Sequence, residues 1–350
     1  MKQPKYQFIF TLIILSYSNW ALGFDILQAL PSTPITPKSN PTTSEKVELG
    51  KQLFFDSRLS FDGSLSCNSC HNLSAGGDDD GRINILSNGQ LKRSAPTLWN
   101  VGYLSVNYWD SRATSLEAQA KEHILDPRVM NMRSALQVTQ RIKAIPGYRK
   151  KFNQVFKQQD SVSLENIAKA ISSFERTLNT PNSPFDQYIK GNKKALNASA
   201  LKGLELFHEV ECMSCHFGVN FAGPAPGPAL KMGDAFYELF PNHLGSHYEK
   251  VYKLADDLGL YKLTLEAGHK HLFRVAPLRN IALTAPYFHN GSVSTLEEAI
   301  RIMAFVQLKQ KLSDEQVRHL VSFLNSLTGE FPQISLPRLP DTAGTTLSNK

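Results

Sequence analysis

The sequence predicts an all-α protein built from two similar halves. Apolar residues recur at helical spacing in five segments, whereas the alternation typical of half-buried strands is scarce. The five segments are residues 135–142, 164–178, 198–207, 296–306 and 313–327. With 350 residues, 41% of them hydrophobic, the chain is long and apolar enough for two domains with substantial cores.

An internal repeat indicates where the two halves lie. Residues 50–54 read Gly-Lys-Gln-Leu-Phe, and residues 203–207 read Gly-Leu-Glu-Leu-Phe. Further on, an Ala-Pro pair precedes Leu98 in the first copy and Leu278 in the second, and a Leu-Glu pair begins 18 residues after each leucine. We therefore expect two related units that join near residues 181–192.

All four cysteines lie in two copies of one pentapeptide. Residues 67–71 read Cys-Asn-Ser-Cys-His, and residues 212–216 read Cys-Met-Ser-Cys-His. The pattern C-x-x-C-H is typical of c-type haem attachment, in which two thiols bond to the porphyrin and the adjacent His binds the iron. Two intervening residues allow one helical turn to span the haem edge. A redox C-x-x-C pair or a split zinc site is the alternative, but neither explains a His after each motif.

The sequence thus predicts two cytochrome c-like domains, each with one covalent haem. The attachment residues are Cys67, Cys70, Cys212 and Cys215, and the proximal iron ligands are His71 and His216. We assign residues 45–185 to the first domain and residues 186–330 to the second. Residues 24–44 are predicted to form a linker, and residues 331–350 a wrapping or loose tail, because both stretches are rich in Pro, Ser and Thr.

The N-terminus is typical of a secretory signal. Lys2 and Lys5 precede an apolar run over residues 8–15, and small residues follow within 21–23, so residues 1–23 are predicted to be a signal peptide. An uncleaved anchor is the alternative, and both predict a periplasmic protein. The net charge of +7 is dispersed without the Lys/Arg runs typical of nucleic-acid binding, and it suits an acidic electron-donor protein.

Three further segments strongly resemble the bacterial dihaem cytochrome c peroxidases, a family that includes the MauG-type enzymes. They are residues 53–60, 108–113 and 278–289, and the resemblance extends from about residue 45 to 329. It implies a high-potential second haem whose ligands are His216 and Met303. Core packing is the alternative role of Met303. MauG-type enzymes carry Tyr at this position, so Met303 favours the peroxidase branch.

The resemblance also implies residues between the haems. Trp109 matches a tryptophan that lies between them, where an indole would assist electron transfer; a buried interface aromatic is the compatible alternative. A calcium ion is also implied, held in part by the carbonyls of Thr284 and Pro286. The family's calcium-binding Asn is replaced by Ser94 in this chain.

The first haem is where the resemblance places the reaction with peroxide, and there the chain departs from the family. Cleavage of the O–O bond needs a group that accepts and returns a proton. Gln119 matches the family's distal Gln, but Val129 stands where the distal Glu is expected. Between Asn72 and Glu122 there is no histidine, so the sixth-ligand switch of many relatives is expected to be absent.

His123 is a candidate replacement for these missing groups. It stands seven residues after Leu116, just as Met303 stands seven after Leu296. We expect His123 to bind the first iron as a sixth ligand or to act as an acid–base group. A half-exposed helix histidine is the alternative. Asp126 and Glu122 are weaker substitutes on the same segment.

The resemblance implies a dihaem cytochrome c peroxidase that reduces hydrogen peroxide to water. Electrons would come from a small cytochrome c or copper protein, enter at the second haem and pass Trp109. A homodimer is also implied. One alternative is a MauG-like oxidase that modifies a partner protein, and another is a non-catalytic dihaem electron carrier or sensor.

Overall fold

A computed structural model describes residues 26–34, 36–81, 91–223 and 236–342, so the predicted signal peptide lies outside the described residues. The described chain is mostly helical, as predicted. Its twelve α-helices are α1 (Ser44–Phe55), α2 (Cys67–Cys70), α3 (Leu116–Leu125), α4 (Ala135–Lys143), α5 (Pro146–Phe156), α6 (Leu164–Glu175), α7 (Pro184–Ile189), α8 (Ala198–Glu209), α9 (His247–Tyr252), α10 (Tyr261–Thr264), α11 (Leu296–Leu308) and α12 (Asp314–Asn325). Within these ranges none of the helices has the length and hydropathy needed to cross a bilayer.

A single small sheet accompanies the helices in the described part of the chain. Its antiparallel strands are β1 (Tyr237–Leu239) and β2 (Leu272–Arg274), with Glu238 opposite Phe273. All five segments with helical periodicity are confirmed as helices, namely α4, α6, α8, α11 and α12. Polar N-cap side chains set where the longer helices begin, because each accepts a hydrogen bond from a main-chain N–H of the first turn. These caps include Thr43, Ser115, Ser163, Thr295 and Ser313.

Each half is organised around one close helix crossing. Helix α1 packs against α6 in the first half, and α8 packs against α12 in the second. Gly50 lies against the carbonyl of Ala170, and Gly203 lies against the carbonyl of His319, so that a Cβ on either glycine would overlap the facing backbone. The glycine that opens the repeated pentapeptide is therefore required by helix packing.

The two halves meet in an arrangement that repeats with the sequence. Asn100 and Asn280 both adopt left-handed backbone conformations, with φ of 65° and 60°, and each begins a short 3₁₀ turn. Their side-chain amides donate to the same hydroxyl, Thr180 Oγ1, over 2.8 and 2.9 Å. The alignment of Leu98 with Leu278 thus corresponds to real structural equivalence, with an offset of 180 residues.

Both ends of the described chain pack on the opposite half. Leu27, near the N-terminus, forms a parallel bridge with Gly218, and Leu30 is fully buried. At the other end, the Arg338 carbonyl accepts a hydrogen bond from the Gln52 side chain. The predicted linker and tail therefore contain segments that tie the two halves together.

Candidate haem sites and active site

Each half contains one cavity beside its C-x-x-C-H motif. The first has a volume of about 460 Å³, and the second has a volume of about 240 Å³. The predicted site residues lining the first are Cys67, Cys70, His71, Trp109, Gln119 and His123, and those lining the second are Cys212, Cys215, His216, Met303 and again Trp109. The fold therefore brings each predicted set of residues together.

The histidines of the two motifs are oriented in the same way. His71 Nδ1 lies 3.1 Å from the Pro96 carbonyl, and His216 Nδ1 lies 3.0 Å from the Phe221 carbonyl. Burial lowers the pKa of both imidazoles, so both are neutral near pH 7. A neutral imidazole that donates Nδ1–H to a carbonyl keeps the Nε2 lone pair available for a metal. Both histidines are thus arranged as proximal ligands.

The motif cysteines do not have the character of a redox pair. All four are free thiols. Burial raises the pKa of Cys67, and it raises the pKa of Cys212 to about 12. Redox-active C-x-x-C pairs instead depend on a thiol with a depressed pKa. The cavity walls therefore suit covalent attachment of a group between the two thiols.

His123 faces His71 across the first cavity. Their ring centroids are 6.5 Å apart, and the ring planes are nearly perpendicular, at 87°. Two imidazoles that bind one metal from opposite sides, each through a bond of about 2 Å, have centroids about 6 Å apart. The gap between His71 and His123 is therefore the right size for one iron atom.

The other nitrogen of His123 is held by two side chains. Tyr108 Oη lies 3.1 Å from Nδ1, and Gln119 Nε2 lies 2.5 Å from it. Burial, His71 and the nearby Arg112 lower the pKa of His123 to about 3, so the ring is neutral near pH 7. The contacts on Nδ1 leave Nε2 as the nitrogen that can serve the cavity.

The two acidic residues proposed as weaker substitutes are already paired. Glu122 accepts a hydrogen bond of 2.6 Å from Arg112, and Asp126 accepts one of 2.7 Å from Arg128. Val129 lines the first cavity, where its side chain offers no proton-transfer group. Gln119 and His123 are therefore the predicted distal residues whose polar groups meet within this cavity.

Trp109 lies between the two cavities and lines both of them. Its indole N–H donates to the Ser94 carbonyl over 2.9 Å, which holds the ring in place. On its second-cavity side the ring meets His289, with centroids 6.4 Å apart. His289 is the repeat counterpart of Trp109, since the two positions differ by the offset of 180 residues.

Two buried polar groups test whether haem fits these cavities. The Arg274 guanidinium lines both cavities and bonds to the carbonyls of Tyr108 and Val275, but no carboxylate among the described residues pairs with it. His289 is 2% exposed, and neither ring nitrogen has a partner within the described ranges. A haem carries two propionates that can satisfy such groups. The residues present therefore fit haem.

Sequence reasoning missed Tyr108, Arg274 and His289. Tyr108 and His289 lie within segments that carried the family resemblance, and each occupies a repeat position where its counterpart differs. Arg274 belongs to no motif. Its importance comes from burial without a counter-charge, which the sequence does not reveal.

The region of the expected calcium ion contains a buried carboxylate. Ser94 Oγ donates to Asp79 Oδ1 over 2.7 Å, and Asp79 is fully buried. Pro286, one of the expected carbonyl ligands, packs against Gly81 a short distance along the same loop. In the part of the chain that the structure describes, no three His, Cys, Asp or Glu side chains converge as a metal site.

Comparison with known proteins gives the family. The profile described as "Di-haem cytochrome c peroxidase" matches residues 44–194, and one described as "RoxA-like, cytochrome c-like" matches residues 273–302. The cytochrome c551 peroxidase of Pseudomonas aeruginosa is 38% identical over 325 residues, which span 92% of this chain and 89% of that protein. The chain belongs to the dihaem cytochrome c peroxidase family.

Both branches of this family are represented among the similar proteins. The methylamine utilization protein MauG of Methylorubrum extorquens is 34% identical over 89% of this chain and 86% of its own. A solved MauG-like protein associated with microbial copper homeostasis has a TM-score of 0.74 and 28% identity, covering 95% of this chain and 99% of its own. This family member is therefore an oxidoreductase of the cytochrome c peroxidase type, and its membership supports two c-type haems.

Proposed function

We propose that this family member reduces hydrogen peroxide to water at the first cavity, with electrons that enter at the second. The observation that carries the proposal is the difference between the opposing groups. His71 faces His123 in the first cavity, whereas His216 shares the second with Met303. When bound, the two haems supply the one-electron chemistry. The residues around them give each cavity a different task.

Met303 suits the second cavity to electron entry. A thioether ligand stabilises reduced iron and raises its reduction potential, as an electron-receiving site requires. We propose a small periplasmic cytochrome c or copper protein as the donor. Trp109 fills the space between the cavities, where its indole shortens the path for electrons to the first site. Met303 in place of Tyr also favours peroxide reduction over the MauG-like alternative.

We propose that His123 is the resting sixth ligand of the first iron. Its neutral ring stands at metal-binding distance from His71, and Tyr108 and Gln119 hold Nδ1. Peroxide must then displace His123, which releases the Gln119 amide to orient the incoming molecule. A ring with a pKa of about 3 holds almost no proton to donate near pH 7, which disfavours His123 as a general acid.

The variant His123→Ala tests this assignment. In the wild type we expect a six-coordinate, low-spin first haem in absorption and electron paramagnetic resonance spectra. The variant should convert that haem to a five-coordinate, high-spin form and react faster with peroxide. His319→Ala, which alters a half-buried histidine on α12 that bonds to Ser199, should change neither property. A five-coordinate wild type whose spectrum and peroxide rate ignore the substitution would exclude both roles of His123.

A non-catalytic electron carrier or sensor is the second candidate, and Val129 is the observation that favours it. Peroxide turnover by the half-reduced protein with reduced cytochrome c separates the two. Steady consumption supports the peroxidase, whereas inertness in every redox state supports the carrier. Modification of a Trp or Tyr on a partner protein, without added donor, would support the MauG-like oxidase.

The remaining parts of the proposal concern the setting of the enzyme. We propose two cytochrome c domains over residues 45–185 and 186–330, a periplasmic location and a homodimer. We also propose a calcium ion between the halves, near Thr284 and Pro286, with Asp79 supplying negative charge where Ser94 replaces the Asn. Loss of peroxide turnover on chelation, with recovery on added calcium, would support the ion.

A further inference from the structure

Glu175 is a buried carboxyl group in the wall of the first cavity. It is the last residue of α6 and is 3% exposed. Its Oε2 atom is buried and has no hydrogen-bond partner among the residues that the structure describes. It acts electrostatically on Cys67, which places it towards the attachment edge of the haem. A buried carboxyl without a partner is costly, so it calls for a functional reason.

The second half has a leucine at the corresponding position. Asn100 N–H donates to the Leu178 carbonyl, and Asn280 N–H donates to the Leu327 carbonyl, which makes these two leucines equivalent. Three residues earlier stand Glu175 in one half and Leu324 in the other. Leu324 lines the second cavity. The two cavities therefore differ by one buried ionisable group.

Few charged groups act on Glu175. Its neighbour Arg176 is engaged with Glu117 of α3, at 2.7 Å. Burial raises the pKa of Glu175 to about 8; Arg176 opposes this shift and Glu117 adds to it. Cys67 is the titratable group that faces it from α2, and its thiol no longer titrates once it is bonded to haem. The carboxyl is therefore able to change its protonation near neutral pH.

We propose that Glu175 takes up one proton when the first haem accepts one electron, and releases that proton on reoxidation. An ionised carboxylate stabilises the more positive, ferric iron. When an electron from the donor protein reduces ferric to ferrous iron, this stabilisation is lost and a proton from solvent converts the carboxylate to the acid. The inference rests on the proposed function only in placing a haem in the first cavity.

Redox titration of the complete, two-haem protein at several pH values tests the proposal. The potential of the first haem should fall with rising pH near neutrality, approaching about 59 mV per tenfold change in proton concentration for one proton per electron. Glu175→Gln should remove this slope, and so should Glu175→Leu, which copies the second half. The second haem, beside Leu324, should show no such slope in any of the three proteins and serves as the internal control.

The proposal is overturned if the first haem of the wild type has a pH-independent potential, or if Glu175→Gln retains the wild-type slope. Should the variants fail to bind haem, infrared difference spectra of the wild type provide the readout. Reduction of the first haem should produce the band of a protonated carboxyl, and its absence would also overturn the proposal. Peroxide turnover is measured separately, so loss of the slope with retained turnover contradicts only this inference.

Discussion

Val129 is the residue at which this chain differs most plainly from what peroxide cleavage requires. It lines the first cavity together with Gln119, yet it carries no group that exchanges protons. The carboxylates of Glu122 and Asp126 are bound to arginines and do not replace the missing one. Proton transfer at this site is therefore expected to limit the rate of peroxide reduction.

The substitution Val129→Glu should raise peroxide turnover at least tenfold. A positioned acid–base group typically contributes about 10² to 10⁴ in rate. Turnover would be measured on half-reduced protein with reduced cytochrome c as donor. Val129→Gln is the matched control, because it has the size of Glu without the exchangeable carboxyl proton. Equal rates for the Glu and Gln variants, with both haems bound, would contradict the prediction.

Motifs and isolated residues differed in how far they were predictable. The attachment cysteines and the proximal histidines were predictable because a local spacing carries their chemistry. His123 was found only by way of the repeat and the resemblance. Glu175 and Arg274 were missed because their character comes from burial without a partner, which depends on side chains distant in sequence.

The helix crossings are the elements on which each half depends. Gly203 of α8 touches the backbone of α12, just as Gly50 of α1 touches α6. The helical periodicity of four of the longer segments predicted where α6, α8, α11 and α12 occur, since a repeating apolar face is visible in sequence. Short elements such as α9, α10 and the β1–β2 pair were not predicted, because three to six residues are too few to show a period.

The substitution Gly203→Ala should destabilise the protein by about 1–3 kcal/mol, the usual cost of overpacking a well-packed contact. The added Cβ would overlap the His319 carbonyl, so α8 and α12 would have to separate. Denaturant unfolding of the haem-bound protein would measure the loss. Gly268→Ala is the control, since nothing lies within 4 Å of its added Cβ. Equal stability of the two variants would argue against a close crossing.

At the scale of the whole molecule, an ion-pair bridge joins the halves beside the first cavity. Arg93 donates to Asp110 of the first half over 2.5 Å and to Asp257 of the second over 2.7 Å. Lys262 also lies 3.1 Å from Asp257. Burial raises the pKa of Asp257, but the bond from Arg93 outweighs it and holds the pKa well below its usual range.

This bridge should make the joining of the halves sensitive to acid. Because the folded pKa of Asp257 lies below its unfolded value of about 3.9, its contribution is fully present above that pH and is lost as the pH falls. The stability difference between the wild type and Asp257→Asn should be about 1–3 kcal/mol at pH 7 and shrink below about pH 4. Unfolding would be measured from pH 3 to 7. Glu315→Gln, at an exposed carboxylate, should show no difference at any pH, and a constant Asp257→Asn deficit would contradict the linkage.

By itself the sequence determined the haem attachment points, the main helices and the two-fold repeat, because each depends on residues close together along the chain. The tertiary structure decided which groups face each other across the cavities. It places His123 opposite His71, Trp109 between the two sites and a lone carboxyl at Glu175 where the other half has Leu324. These relations join residues up to about 100 positions apart, and only the packing of the folded chain brings them within contact.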